Sequence, residues 1–197
     1  MTGPVKVLLL GDSIRLSYQP HVATLLVNRA EVVGPADNCQ YALFTLASID
    51  RWIQALGKPD IIHWNNGLHD SGHNPNRYPK QIPLDMYRNN LVFILKALHA
   101  HTPHIIWATM TPVDTVRRPF QADQWAWRNE EIDSYNQAAL AVMHEHQVPV
   151  NDLHGLVQPH MQDYLVGDGV HLNEAGQIAC AKAVTHAVLQ IMEKHNR

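Results

Sequence analysis

Five short apolar or β-branched runs alternate with longer segments of helical period. This restricts the chain to βαβ units around a parallel sheet. The strand candidates are Val5–Leu10, Ala30–Val33, Asp60–Asn65, His104–Thr109 and a short Val148–Val150. The first, third and fourth are nearly continuously apolar, as expected where helices cover both faces of a sheet. Helices are predicted near Pro20–Asn28, Phe44–Leu56, Leu84–His101, Trp127–Gln147 and Asn173–His195. In the third, Leu84, Tyr87, Leu91, Ile94, Leu95 and Leu98 recur at three- and four-residue steps, which marks one buried stripe. Pro20 suits a first helical position, where its missing N–H is no loss. Asn173 has the character of an N-cap before Glu174.

With 197 residues, 46% hydrophobic and 17% charged, the chain can bury a sizeable core, and one domain over residues 1–197 is expected. That balance excludes a disordered chain. A formal net charge of -3 and a pI near 6.5 give no basic field for nucleic acid. No apolar run approaches the length of a bilayer span, and the first residues lack a signal-peptide pattern. A soluble, cytoplasmic chain is the expectation. Cys39 and Cys180 are read as free thiols, with neither disulfide framework nor zinc spacing. The pairs His99/His101 and His144/His146 stand two apart on helices and point away from each other, so they are read as surface histidines and no metal site is expected.

Two irregular stretches, Ser71–Pro83 and Asp114–Ala126, follow predicted strands and should overhang the carboxyl edge of the sheet, where open α/β folds bind ligands. Three short motifs fall at the same edge. Gly11-Asp12-Ser13-Ile14 ends the first strand. A serine there exposes its hydroxyl beside unpaired helix N–H groups, although the same residues are ordinary turn chemistry. Trp64-Asn65-Asn66-Gly67-Leu68-His69-Asp70 follows the third strand and supplies a glycine for close approach beside polar side chains. Asp168-Gly169-Val170-His171 precedes the last helix. An aspartate and a histidine three apart on one loop can meet, with the glycine easing the path, and the second imidazole nitrogen is then free to face Ser13. A polar helix-capping loop would explain Asn173 but not Asp168 and His171 together.

Taken together, the three blocks resemble the SGNH, or GDSL-type, hydrolase family across nearly the whole chain. The resemblance implies a flavodoxin-like three-layer α/β/α sandwich with a five-stranded parallel sheet, and serine esterase chemistry with no metal or cofactor. It assigns Ser13 as nucleophile, His171 as base and Asp168 as its orienting carboxylate. Two departures stand out. The family's third block reads Gly-x-Asn-Asp, whereas here Gly67-Leu68-His69-Asp70 places a histidine at the oxyanion-donor position; a neutral imidazole has one N–H to give. Asn66 or backbone N–H groups are the alternative donors. In the second block, matching on Asn38 sets Cys39 nearest the family's glycine, whose N–H lines the oxyanion hole together with that of Ser13.

Asp12, Trp125 and Trp127 are the candidate substrate contacts. Aromatic faces with polar neighbours suit a sugar ester, so the expected reaction is hydrolysis of a short acyl, foremost acetyl, ester through an acyl-serine. An acyltransferase with the same triad and a non-catalytic binding protein on the same fold are the alternatives.

Overall fold

The structure, a computed structural model, describes residues 4–195. The chain runs β1 (Val5–Leu10), α1 (Ser13–Leu25), β2 (Ala30–Val33), α2 (Ala42–Leu56), β3 (Ile61–Trp64), α3 (Leu68–Ser71), α4 (Leu84–His99), β4 (Ile105–Ala108), α5 (Asn129–Glu145), β5 (Val150–Asn151), α6 (Leu153–Val157), a 3₁₀ turn (Gln158–His160), α7 (Met161–Tyr164) and α8 (Glu174–His195). The strands form one parallel sheet in the order β2-β1-β3-β4-β5. β1 pairs with β2 on one side and with β3 on the other, so the direction of winding reverses at β1. Such a reversal opens a crevice at the carboxyl ends of β1 and β3.

The covered sheet explains the apolar strands. Val7, Leu8, Leu9 and Leu10 of β1 and every residue of β3 and β4 are buried. Trp64 and Trp107, partners in the β3–β4 register, meet edge to face with centroids 4.6 Å apart. His63 is enclosed in the same layer, where its Nε2 faces Asn151 Nδ2 at 3.1 Å. Burial lowers its pKa to about 3, which keeps the ring neutral. On the flanks, α1 packs on α8, and α2, α4 and α5 pack in a row. This is the α/β/α arrangement that the family resemblance implied, around the parallel sheet expected of the pattern. Both cysteines are free and buried, and burial pushes their thiols up, that of Cys180 to about 12.

Several boundaries differ from the sequence reading for identifiable reasons. The first helix begins at Ser13, not Pro20, because the Asp12 carboxylate caps it by accepting the Ile14 N–H at 2.9 Å. Pro20 therefore sits inside the helix. It forfeits one helical hydrogen bond there, while the face Ile14, Tyr18 and Val22 is buried in the core. The last strand starts at Val150. Its expected first residue, Val148, instead donates its N–H to Met143 O at the end of α5, after Gln147 turns through φ 56°. The final helix begins as expected, with Asn173 Oδ1 accepting the Gly176 N–H at 3.0 Å.

Candidate active site

Ser13 is the first residue of α1, one residue beyond its cap, so its N–H lies outside the helix's own hydrogen-bond ladder and its hydroxyl stands at the carboxyl end of β1. Asp168 and His171 lie between α7 and α8, in a loop closed by His171 O accepting the Val166 N–H at 2.8 Å and by the Leu165–Leu172 bridge. Gly169 takes φ 72°, the left-handed conformation that lets this loop double back. Its carbonyl accepts the Asp114 N–H at 2.8 Å, and a Cβ at this position would meet Asp114 O at 2.9 Å.

The three side chains form one continuous hydrogen-bonded chain. Ser13 Oγ lies 3.0 Å from His171 Nε2, and His171 Nδ1 lies 2.6 Å from Asp168 Oδ2. The carboxylate at Nδ1 selects the tautomer protonated there, leaving Nε2 to accept the serine proton. The other Asp168 oxygen accepts the backbone N–H groups of Val170 and His171 at 2.8 and 3.0 Å. Partial burial pushes the Asp168 carboxyl upward. Hydrogen bonds from the His171 ring and from the two N–H groups together outweigh that and hold it below the ordinary carboxylate range.

A cavity of about 240 Å³ opens beside Ser13 and His171, walled by Asn38, Leu68, His69, Arg118, Trp125, Trp127 and Val170. Its outer wall joins the two irregular loops. His73 and Ala126 exchange backbone hydrogen bonds at 2.8 and 3.2 Å as an antiparallel bridge, and Trp127 Nε1 donates to Leu68 O. His69 reaches the cavity with its ring edge-on to Trp125, centroids 4.8 Å apart. Burial lowers its pKa; Asp12 opposes the shift, and Arg77 and His171 reinforce it, so the ring is neutral and offers one N–H.

Of the remaining sequence candidates, Cys39, Asn66 and Asp12 are placed off the cavity wall and Trp125 and Trp127 on it. Cys39, in the loop between β2 and α2 (the second loop, residues 34–41), is fully buried and donates its N–H to Gly11 O at 3.1 Å, so that group is already engaged; the residue of this loop on the cavity wall is its neighbour Asn38. Asn66 is also buried and its amide is occupied: Oδ1 accepts Trp64 Nε1 and Nδ2 donates to Gln40 O. Asp12 is 2% exposed and caps α1 rather than facing the cavity. Trp125 and Trp127 do line it. Gly67, at φ 135°, permits the close approach that the motif required, since a Cβ there would lie 2.4 Å from Met110 Sδ.

Sequence reasoning missed Arg15. Arg15 is 1% exposed and ties the nucleophile turn to the second loop. It donates to Gly11 O at 3.3 Å, Pro35 O at 2.8 Å, Asp37 O at 2.8 Å and Gln19 Oε1 at 2.9 Å. The signal was present: an arginine on the same helical face as Ile14 and Tyr18 must either surface or be paired. Asp70, also unassigned, is buried beneath the site and accepts the Ala42 N–H with both oxygens at 3.0 and 3.1 Å. Burial pushes its carboxyl up to about 7 against that hydrogen bond.

A hydroxyl, an imidazole and a carboxylate in hydrogen-bonded sequence at the carboxyl edge of a parallel sheet mark the class of acyl hydrolases. The GDSL-like Lipase/Acylhydrolase family matches residues 9–179, and the chain belongs to that family of carboxylic ester hydrolases. No curated protein matches the chain in sequence. Among solved structures, a lipase/acylhydrolase from Enterococcus faecalis superposes with a TM-score of 0.77 at 21% identity, over 93% of this chain and 95% of that one. Axe2, an acetylxylan esterase from Geobacillus stearothermophilus, gives 0.76 at 19% identity over 95% and 96%. The acetyl xylan esterase AlAXEase gives 0.75 at 17% over 93% and 100%. Among the described residues, no helix is long and apolar enough to cross a membrane, and no group of three or more histidine, cysteine or acidic side chains could hold a metal ion.

Proposed function

We propose that the protein is a serine esterase that removes a short acyl group, foremost acetyl, from a carbohydrate ester. The observation that carries this reading is the Ser13–His171–Asp168 hydrogen-bonded chain at the mouth of an aromatic cavity. Ser13 Oγ attacks the ester carbonyl as His171 Nε2 takes its proton, and Asp168 stabilises the imidazolium. The Ser13 N–H and the neutral His69 ring N–H meet the developing oxyanion. The alcohol departs with the proton from His171. Water, deprotonated by the same nitrogen, then attacks the acyl-serine, releasing the acid and restoring Ser13.

Trp125, the partly exposed tryptophan of the wall, offers an apolar face of the kind that stacks on sugar rings. Two structurally similar proteins are described as acetylxylan esterases, which points to the same substrate class. The His171 and Asp168 side chains are 48% and 38% exposed, so water reaches the acyl-serine, which favours hydrolysis over acyl transfer. The test is a pre-steady-state assay with p-nitrophenyl acetate, followed by acetate release from acetylated sugars. Turnover by the unmodified protein and its loss in Ser13→Ala is the expected result. Equal release by both proteins would overturn the reading.

A further inference from the structure

Among the described residues, one cation in the cavity wall has no anionic partner. Arg118 leaves the backbone where its Cβ would stand 3.3 Å from a Cβ on Gly169 of the triad loop. Its guanidinium then lies over the Trp127 ring, 5.2 Å from the centroid. One nitrogen, Nη2, is used: it donates to Trp125 O at 2.9 Å. Among the described residues, Nε and Nη1 make no hydrogen bond and no carboxylate lies within ion-pair distance of Arg118. The neighbouring arginines contrast with it. Arg117 is paired with Asp114 at 3.2 Å, Arg128 with Glu131 at 3.5 Å, and Arg77 is spent on the carbonyls of His69, Pro79 and Lys80. No acidic side chain lines the cavity. A guanidinium presents its donors as a fixed fork that matches a carboxylate in two-point geometry, and an aromatic face beneath it orients that fork.

We infer that Arg118 selects esters whose alcohol part carries a carboxylate, so that the natural substrate is an acylated acidic alcohol, of which an acidic sugar is one chemical class. The inference rests on the esterase reading above and specifies its substrate. A cavity of about 240 Å³ holds far more than an acetyl group, so the wall beyond the scissile bond is left for the alcohol. Trp125, the partly exposed ring of the pair, would take its apolar face while Arg118, seated on buried Trp127, takes its charge. The partly enclosed setting strengthens such a pair relative to water.

The experiment compares 4-acetoxybenzoate with 4-acetoxybenzamide, two acetyl esters of the same shape differing in charge. The unmodified protein should prefer the anionic ester in kcat/KM by about tenfold or more, mostly through KM. Arg118→Gln should bring the ratio close to one, and Arg118→Lys should keep part of the preference because the charge remains without the fork. Reading the ratio cancels any general loosening of the loop, which would lower both rates alike. A second pair, phenyl hemisuccinate against phenyl butyrate, moves the carboxylate to the acyl side and should show little preference. Hydrolysis of both acetoxy esters at equal efficiency would overturn the role of Arg118 while leaving the esterase reading intact. A preference unchanged in Arg118→Gln, or one confined to the hemisuccinate, would overturn it as well. Hydrolysis of none of the four would count against the esterase itself.

Discussion

The Arg15→Met substitution tests whether the second loop is held by the buried guanidinium. Methionine keeps most of the aliphatic stem but removes every donor. The strongest bonds lost are those to Pro35 O and Asp37 O, both 2.8 Å; the contacts to Gly11 O are longer, at 3.3 Å. At about 1.5 kcal/mol for each short bond from a charged donor, the loss is about 3 kcal/mol. Removing a desolvated charge gives some of this back, leaving a net loss of about 2–3 kcal/mol. For a chain of this length that lowers Tm by about 4–12 °C. Function should suffer too, because Asn38, on the cavity wall, lies in the loop that is released. A displacement on the order of 1 Å beside reacting atoms costs about 100-fold at most in such sites, so a fall of about 10- to 100-fold in kcat/KM is expected. Urea unfolding followed by tryptophan fluorescence gives the first quantity, and p-nitrophenyl acetate kinetics well below the transition give the second. An unfolding curve and a kcat/KM that both match the unmodified protein would refute the reasoning, since the carbonyls would then be satisfied without the arginine.

Three further outcomes are expected. Ser13→Ala and His171→Ala should each abolish nearly all turnover, and the double variant should lose little more, because the two side chains act as a unit; additive losses in steady-state rates would separate their roles. His69→Ala should cost about 100- to 1000-fold in kcat with a smaller change in KM, the signature of an oxyanion donor, whereas a change confined to KM would make His69 only part of the cavity wall. Asp70 should impose a pH dependence on stability. Its folded pKa, about 7, lies above the ordinary value of 3.8, so its contribution is fully present below about pH 4 and is lost as pH rises through 7. That loss is about 4 kcal/mol across the window. Asp70→Asn keeps an acceptor for the Ala42 N–H without the titration, so urea unfolding at pH 5 and pH 8 should show a drop in the unmodified protein that the variant lacks. Parallel behaviour of the two would disprove the assignment.

What could be read from the chain before its structure follows the range of the forces involved. β1 and β2 match to the residue, because each is written in consecutive side chains: a buried apolar run in β1, and a short β-branched run in the partly covered edge strand β2. Asn173 as a helix cap was legible because it acts three residues away. The start of α2 was not: its first N–H is received by Asp70, 28 positions further on, so the pattern placed the helix at Phe44 instead of Ala42. The same limit displaced the second oxyanion candidate. An N–H has no side-chain signature, and whether Cys39 or Asn38 faces the cavity depends on how the loop folds back on Gly11, a contact across 28 positions.

The distinction bears on how such a site divides its tasks. Asp168 and His171 form a local pair, and their loop geometry follows from Gly169 between them; only the approach of Ser13, 158 positions away, needs the sheet to place it. Ser13 therefore stands at the end of a strand whose position the core determines, and Asp168 with His171 on the loop before α8; short motifs record both. The walls of the cavity depend instead on loops that meet one another, as His73 meets Ala126 and Trp127 meets Leu68. Those contacts can change without disturbing the sheet. It follows that substitutions in the walls, Arg118 above all, should redistribute activity among esters, whereas substitutions of Ser13, Asp168 or His171 should lower it for every ester alike.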